Sequence, residues 1–271
     1  MSVSIYIRGV LLAVVSLLLI SCSSVPEKDA APSSVPDISQ IPDAVPRVEP
    51  RSKYGNPARY EVFGKSYYPM ASAEGYREKG IASWYGTKFH GRRTSSGEIY
   101  DMYAMTAAHK TLPLPSYVEV TNLENGRKVI VRVNDRGPFH DNRLIDLSYS
   151  AATKLGIVAK GTGLVEVRAI TPGKARQTVV ALEREKQPVQ QTGSAVMYLQ
   201  VGAFSTLSRA EQVKRRLQQD IVDNISIVPV KRLRGTLYRV RIGPLASVAD
   251  GDSLAARLVG LGFQDSHIVI D

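Results

Sequence analysis

Apolar and polar residues alternate along this chain in short bursts, and the bursts fall into two groups. In the first, Tyr117-Val118-Glu119-Val120-Thr121 and Lys128-Val129-Ile130-Val131-Arg132-Val133 have the period of two expected of strands. Asn125-Gly126 between them is a strong hairpin signal. Leu164 to Ile170 alternates again as a closing strand. Ser148 is placed to cap a short helix with Leu147, Ala151 and Leu155 on one side, and Gly156 ends it. Many short strands with one helix between Ile81 and Ile170 predict a small barrel. The second group has a longer rhythm. Strand Met197 to Ala203 leads to a helix opened by Ser208-Arg209-Ala210-Glu211, with Ala210, Val213 and Leu217 inward. Strand Ile225 to Leu233 turns at Arg234-Gly235 into Thr236 to Gly243. A helix starting near Ser247 carries Leu254, Leu258 and Leu261, and strand His267 to Ile270 follows. The order βαββαβ predicts a ferredoxin-like α+β sandwich.

The unpatterned stretches divide the chain further. Val10 to Ile20 is apolar but for Ser16, follows Arg8, and is too short to span a bilayer; residues 1–21 have the size of a signal peptide. Leu19-Ile20-Ser21-Cys22 resembles the bacterial lipobox, which implies a lipid on Cys22, the one cysteine in the chain. The alternative is an ordinary secretory signal whose cleavage site includes Cys22. By analogy with bacterial lipoprotein sorting, Ser23 after the cysteine implies the outer membrane over retention at the inner one. Residues 22–53 hold Pro26, Pro32, Pro36, Pro42, Pro46 and Pro50 among small polar residues, without apolar period, and predict a disordered tether. Residues 54–79 are richer in aromatics and read as an ordered lead-in to the barrel of 80–170. Residues 171–195 form a Gln-rich linker with room for a short helix near Leu182, and 196–271 form the second domain.

With 35 Lys+Arg against 25 Asp+Glu the net charge is +10, which suits an anionic partner such as a bacterial envelope. A solvated surface explains the same excess. No aromatic and basic patch resembles an RNA-binding motif, so nucleic acid is not an expected partner. Residues 76–170 carry 14 basic and 9 acidic groups and residues 196–271 carry 10 and 7, so both domains are modestly cationic. Within the barrel, Glu98, His109 and Asp135 each sit at or near a turn where Gly or Pro presents a side chain to solvent. Two carboxylates and an imidazole gathered on a small β-fold are candidates for proton transfer on a polar substrate. No Cys/His/Asp spacing suits a metal, and no metal or cofactor is expected.

Gly80 to Gly86, Phe89-His90-Gly91, the Glu98 and His109 segments, Leu112 to Val118, Val131 to Phe139 and Arg143-Leu144-Ile145-Asp146-Leu147-Ser148 resemble the rare lipoprotein A family. The resemblance implies a double-psi β-barrel and lytic transglycosylation of peptidoglycan at the septum. It also implies cleavage between muramyl and glucosaminyl units of peptide-free strands, leaving 1,6-anhydromuramyl ends. Tyr198 to Phe204 and Tyr238 to Pro244 resemble the sporulation-related repeat (SPOR) domain, which implies binding to glycan stripped of stem peptides. In that frame Asp135 is the expected acid-base and Glu98 its partner carboxylate. His109 is expected to hydrogen-bond Asp135 or substrate, and Arg136 to contact substrate. His90 and His140 are read as surface groups. Trp84 and Tyr85 suit either sugar stacking or the core. In the second domain alternation puts Gln200 and Phe204 on one face and leaves Arg239 and Arg241 free to meet sugar, with Phe204 alternatively plugging the sandwich edge. The implied partners are denuded glycan strands, a membrane through the N-terminal lipid, and division-site proteins. The alternative is a non-catalytic, expansin-like wall-binding lipoprotein, since fold alone does not decide function.

Overall fold

The computed structural model describes residues 29–34, 37–172, 195–221, 223–232 and 235–271. The expected signal peptide, Cys22, nearly all of the expected linker and part of the Arg234-Gly235 turn lie outside the described residues. So does the helix expected near Leu182.

A short hairpin, β1 (Tyr60–Val62) with β2 (Lys65–Tyr67), precedes the barrel. The barrel strands are β3 (Arg77–Tyr85), β4 (Thr106–His109), β5 (Ser116–Asn122), β6 (Lys128–Asp135), β7 (Arg143–Ser148) and β8 (Gly163–Ile170). They close in the order β3-β7-β4-β6-β5-β8, with β3/β7 and β4/β6 parallel and the other pairs antiparallel, the double-psi arrangement expected. Inward residues of every strand fill the interior, among them Ala82, Ala107, Val118, Val131, Val133, Ile145, Leu147 and Val165. Helix α1 (Tyr149–Leu155) follows β7 directly. The Ser148 hydroxyl accepts from Ala151 N–H, and Gly156 ends the helix at φ 75°, a left-handed conformation cheap only without a Cβ. Leu155 and Ile157 from this corner complete the barrel core.

The tether expected over 22–53 is instead laid along the barrel wherever it is described. Asp29 accepts hydrogen bonds from the Gly86 and Lys88 amides (2.9–3.1 Å). A 3₁₀ turn at Ile38–Gln40 buries Ile38 among Tyr85, Tyr100, Met102 and Tyr149. Asp43 accepts from Ile130 N–H while Ala44 N–H donates to Ile130 O, so the segment follows β6 as an added edge. Further on, Ser52 N–H and the Asn56 amide bond Leu114 O. A proline-rich chain without apolar period has no core of its own, but its carboxylates and carbonyls satisfy barrel groups that water otherwise holds.

The second domain is β9 (Met197–Phe204), α2 (Leu207–Leu217), β10 (Ile225–Arg232), β11 (Gly235–Leu245), α3 (Val248–Gly260) and β12 (His267–Ile270). The sheet order β10-β11-β9-β12, antiparallel throughout, is that of the ferredoxin-like sandwich. Helix α2 opens at Thr206, whose hydroxyl accepts from Arg209 N–H, two residues before the expected cap at Ser208. Helix α3 opens at Ser247 as expected. The two domains meet where Met197, Ile268 and Ile270 pack on Ile81 and Leu164, and Asp252 accepts from Asn142 and Arg143.

Candidate functional site

The site is built on an irregularity in β6. Ala107 pairs with Val133 and Ala108 with Asp135, so Asn134 is an extra residue with no partner on β4. A bulge of this kind re-aims the side chains around it. Here it turns both Asn134 and Asp135 onto the tight turn 94–98, which Gly97 closes at φ 95° with its amide on Thr94 O. The turn is fastened to the bulge by Ser96 N–H on Asn134 O.

Asp135 is half-buried. Its Oδ1 accepts from Ser95 N–H (2.7 Å), Ser95 Oγ–H (2.6 Å) and Arg136 N–H (2.7 Å), while Oδ2 makes no hydrogen bond among the described residues. One oxygen is therefore anchored and the other is open to a substrate. Glu98 comes to the same turn but is engaged differently. Arg132 Nη1 donates to both its oxygens (2.9 and 2.8 Å) and Asn134 Nδ2 to Oε2 (2.9 Å). Asp135 and Glu98 thus share a support without bonding each other.

His109 does not bond Asp135. It is 2% exposed, and its Nδ1 accepts from the Thr111 and Leu112 amides (3.1 and 3.0 Å). The ring proton is then on Nε2, which donates to Tyr76 Oη (2.9 Å), and Tyr76 donates to Glu78. Burial, with Lys110 and Arg136 nearby, lowers its pKa to about 3, so it is neutral at working pH. Arg136 is likewise not a free substrate contact. It is buried, and its guanidinium donates to His109 O, Leu112 O, Gly55 O and Asn56 Oδ1. A charged fork at the end of a strand seals the carbonyls of the loop below it.

Asp146, absent from the residues assigned roles by sequence, lies in the same cross-strand row as Asp135. Ser83 pairs with Asp146, Asp146 with Ala108 and Ala108 with Asp135. Two strand spacings separate the two aspartates, about 9–10 Å between Cα atoms. Only the methyl of Ala108 stands between them in that row. Ser83 Oγ–H donates to Asp146, and burial raises the Asp146 pKa. The cross-strand register was the signal; without knowing that β4 lies between β6 and β7, sequence shows no such row. Tyr85 on the same strand as Ser83 stacks on Tyr100 at 4.0 Å, with its hydroxyl buried and unpartnered among the described residues. Trp84 alternates to the interior side and meets Tyr149 edge-on. Both aromatics belong to packed clusters.

In the second domain the register corrects two expectations. Leu199 pairs with Ile242, Gln200 with Arg241, and Gly202 with Val240, so Val201 is an extra residue in β9. One extra residue exchanges the faces of everything after it. Phe204 therefore pairs with Tyr238 and packs against the core instead of joining Gln200. Arg241 is on the open face but not free. It is 5% exposed, its Nη1 donates to Asp271 (2.7 Å), and it lies over the Tyr198 ring. Gln200 is buried beside it with Oε1 unpartnered among the described residues. Arg239 is half-buried in the sheet, and its side chain makes no hydrogen bond or ion pair among the described residues. No cluster of three or more His, Cys, Asp or Glu that would hold a metal occurs among the described residues.

Comparison with known proteins adds the following. Residues 77–168 match the family described as lytic transglycolase, and residues 193–270 match the SPOR domain. A Pseudomonas aeruginosa (strain UCBPP-PA14) protein named endolytic peptidoglycan transglycosylase RlpA is 44% identical over 269 residues, covering 82% of this chain and 78% of that protein. The Vibrio cholerae protein of the same name is 40% identical over 266 residues, covering 96% of each. Among solved structures, the RlpA SPOR domain from Pseudomonas aeruginosa is 30% identical, covers 27% of this chain and 96% of that one, and has a TM-score of 0.26.

Proposed function

The chain belongs to the RlpA family of endolytic peptidoglycan transglycosylases, and from that premise we propose how its barrel and its second domain divide the work. It is a lytic transglycosylase that binds and acts on peptidoglycan in the cell envelope. Asp135 carries the proton transfer. Its open Oδ2, protonated, delivers a proton to the glycosidic oxygen between the muramyl and glucosaminyl units as the C1–O bond breaks. The same oxygen then takes the proton of the muramyl 6-hydroxyl as O6 bonds to C1, which closes the 1,6-anhydro ring and restores the acid. No water enters the products, so no second carboxylate is needed to activate one.

The observation that supports this reading is the asymmetry of Asp135, with one oxygen held by three donors and the other unoccupied. Glu98 and Asp146 stand on either side as carboxylates that steady the positive charge developing on the sugar ring. His109 and Arg136 act beneath them by holding the loop 109–112. The open sheet face of the second domain, through Gln200 and Arg239, recognises peptide-free glycan. Cys22 carries a lipid that keeps the protein on the periplasmic face of the outer membrane, and division-site proteins are its partners at the septum.

The test is digestion of purified, amidase-treated sacculi, read by mass spectrometry for anhydromuramyl ends. Wild-type protein yields them and Asp135→Asn does not. Equal yields from the two would remove Asp135 from the chemistry. Loss of membrane fractionation in Cys22→Ala tests the anchor separately.

A further inference from the structure

 

The segment between the N-terminus and the barrel reaches the reaction centre. Glu49 lies before β1, in the proline-rich segment, and its carboxylate meets Arg132 of β6. Arg132 Nε donates to Glu49 Oε1 (3.0 Å) and Nη2 to Oε2 (2.8 Å), a two-pronged pair, and Tyr117 Oη–H donates to Oε1 as well. Arg132 makes its bonds to Glu98 through the remaining nitrogen, Nη1. The side chains become more exposed along this path: Glu49 is 17% exposed, Arg132 18% and Glu98 42%.

A guanidinium is planar, so gripping it at Nε and Nη2 fixes where Nη1 points. Arg132 holds the Glu49 pKa down at about 2, so the grip persists at any pH where the cell wall is remodelled. With Glu49 neutral, Arg132 is free to swing its fork onto Glu98 and draw that carboxylate away from its place beside Asn134. We propose that Glu49 is a positioning residue of the reaction: acting through Arg132, it sets the Glu98 carboxylate at the rim of the site. The segment that composition assigns to a passive tether thereby supplies part of the catalytic support. This rests on the reading that Glu98 works beside Asp135.

The test is a double-mutant cycle in the mature full-length chain, with kcat and KM measured on amidase-treated glycan for wild type, Glu49→Gln, Glu98→Gln and the double variant. Glu49→Gln is expected to lower kcat on the order of tenfold, with KM little changed. The double variant is expected to match Glu98→Gln alone, because a residue that acts only through Glu98 has nothing left to position. Glu49→Asp, which keeps the charge and shortens the reach, is expected to fall between wild type and Glu49→Gln, and it carries the same cycle if Glu49→Gln does not fold. Losses that multiply in the double variant, or an unchanged kcat in Glu49→Gln, overturn the proposal while leaving Glu98 in the reaction. An unchanged kcat in Glu98→Gln instead overturns the reading on which the proposal rests.

Discussion

The barrel rim and the open sheet face of the second domain both gather polar side chains around a β-bulge, yet they leave different groups available. At the rim the bulge at Asn134 turns Asp135 toward the Ser95 turn, where one carboxylate oxygen is anchored and the other left open. On the sheet the bulge at Val201 turns Phe204 into the core, and Arg241 is closed off by Asp271. A bulge can expose chemistry or remove it, and which happens depends on what lies across from the re-aimed side chain.

The sharpest way to break this comparison is at Asp135. Asp135→Asn keeps the shape and loses the proton, so kcat should fall by ~10²–10⁴-fold while binding to sacculi persists. Asp146→Asn is expected to lower kcat by on the order of tenfold, because it removes a charge from the same row without removing the proton carrier. An unchanged rate would confine Asp146 to structure.

His109 offers a pH test of the loop beneath the rim. Its folded pKa of about 3 is below that of an unfolded histidine, so the unfolded chain binds the proton first as pH falls. The stability that neutral His109 contributes is full above about pH 6.5 and is lost as pH falls toward about 3. Melting temperatures measured across that range should decline in wild type and decline less in His109→Gln. On the sheet, Phe204→Ala should cost about 2–3 kcal/mol in denaturant unfolding of the second domain, as loss of a partly buried core ring. Arg241→Ala should cost about 1–2 kcal/mol for its charged hydrogen bond. The smallest stability change is expected for Arg239→Ala, which should instead show the larger fall in sacculus binding. If Arg241→Ala weakens binding more than Arg239→Ala, the Asp271 pair opens when glycan arrives.

Much of this was legible in the sequence where a local pattern carries the information. Alternation located β5, β6 and β8, Asn125-Gly126 located the hairpin of β5 and β6, and Ser148 and Gly156 marked both ends of α1. The Gly and Pro residues around Glu98 and Asp135 marked the turns on which they sit. The side-chain roles were less legible. His109 and Arg136 stand next to the rim in sequence, but their hydrogen-bonding groups are spent on the 109–112 loop and on residues 55, 56 and 76. A period-two reading also fails at Val201, because a bulge leaves no local mark when the extra residue is as apolar as its neighbours.

The sequence by itself determined the order of the elements, the two fold classes and the family, because periodicity, capping and motif spacing are properties of neighbouring residues. Only the tertiary structure decided which oxygen of Asp135 is open, that Asp146 shares its row, that Arg241 is paired and that Glu49 grips Arg132. Each of these joins residues 11 to 83 positions apart in the chain, and it is the closure of the barrel and the sheet that brings them together.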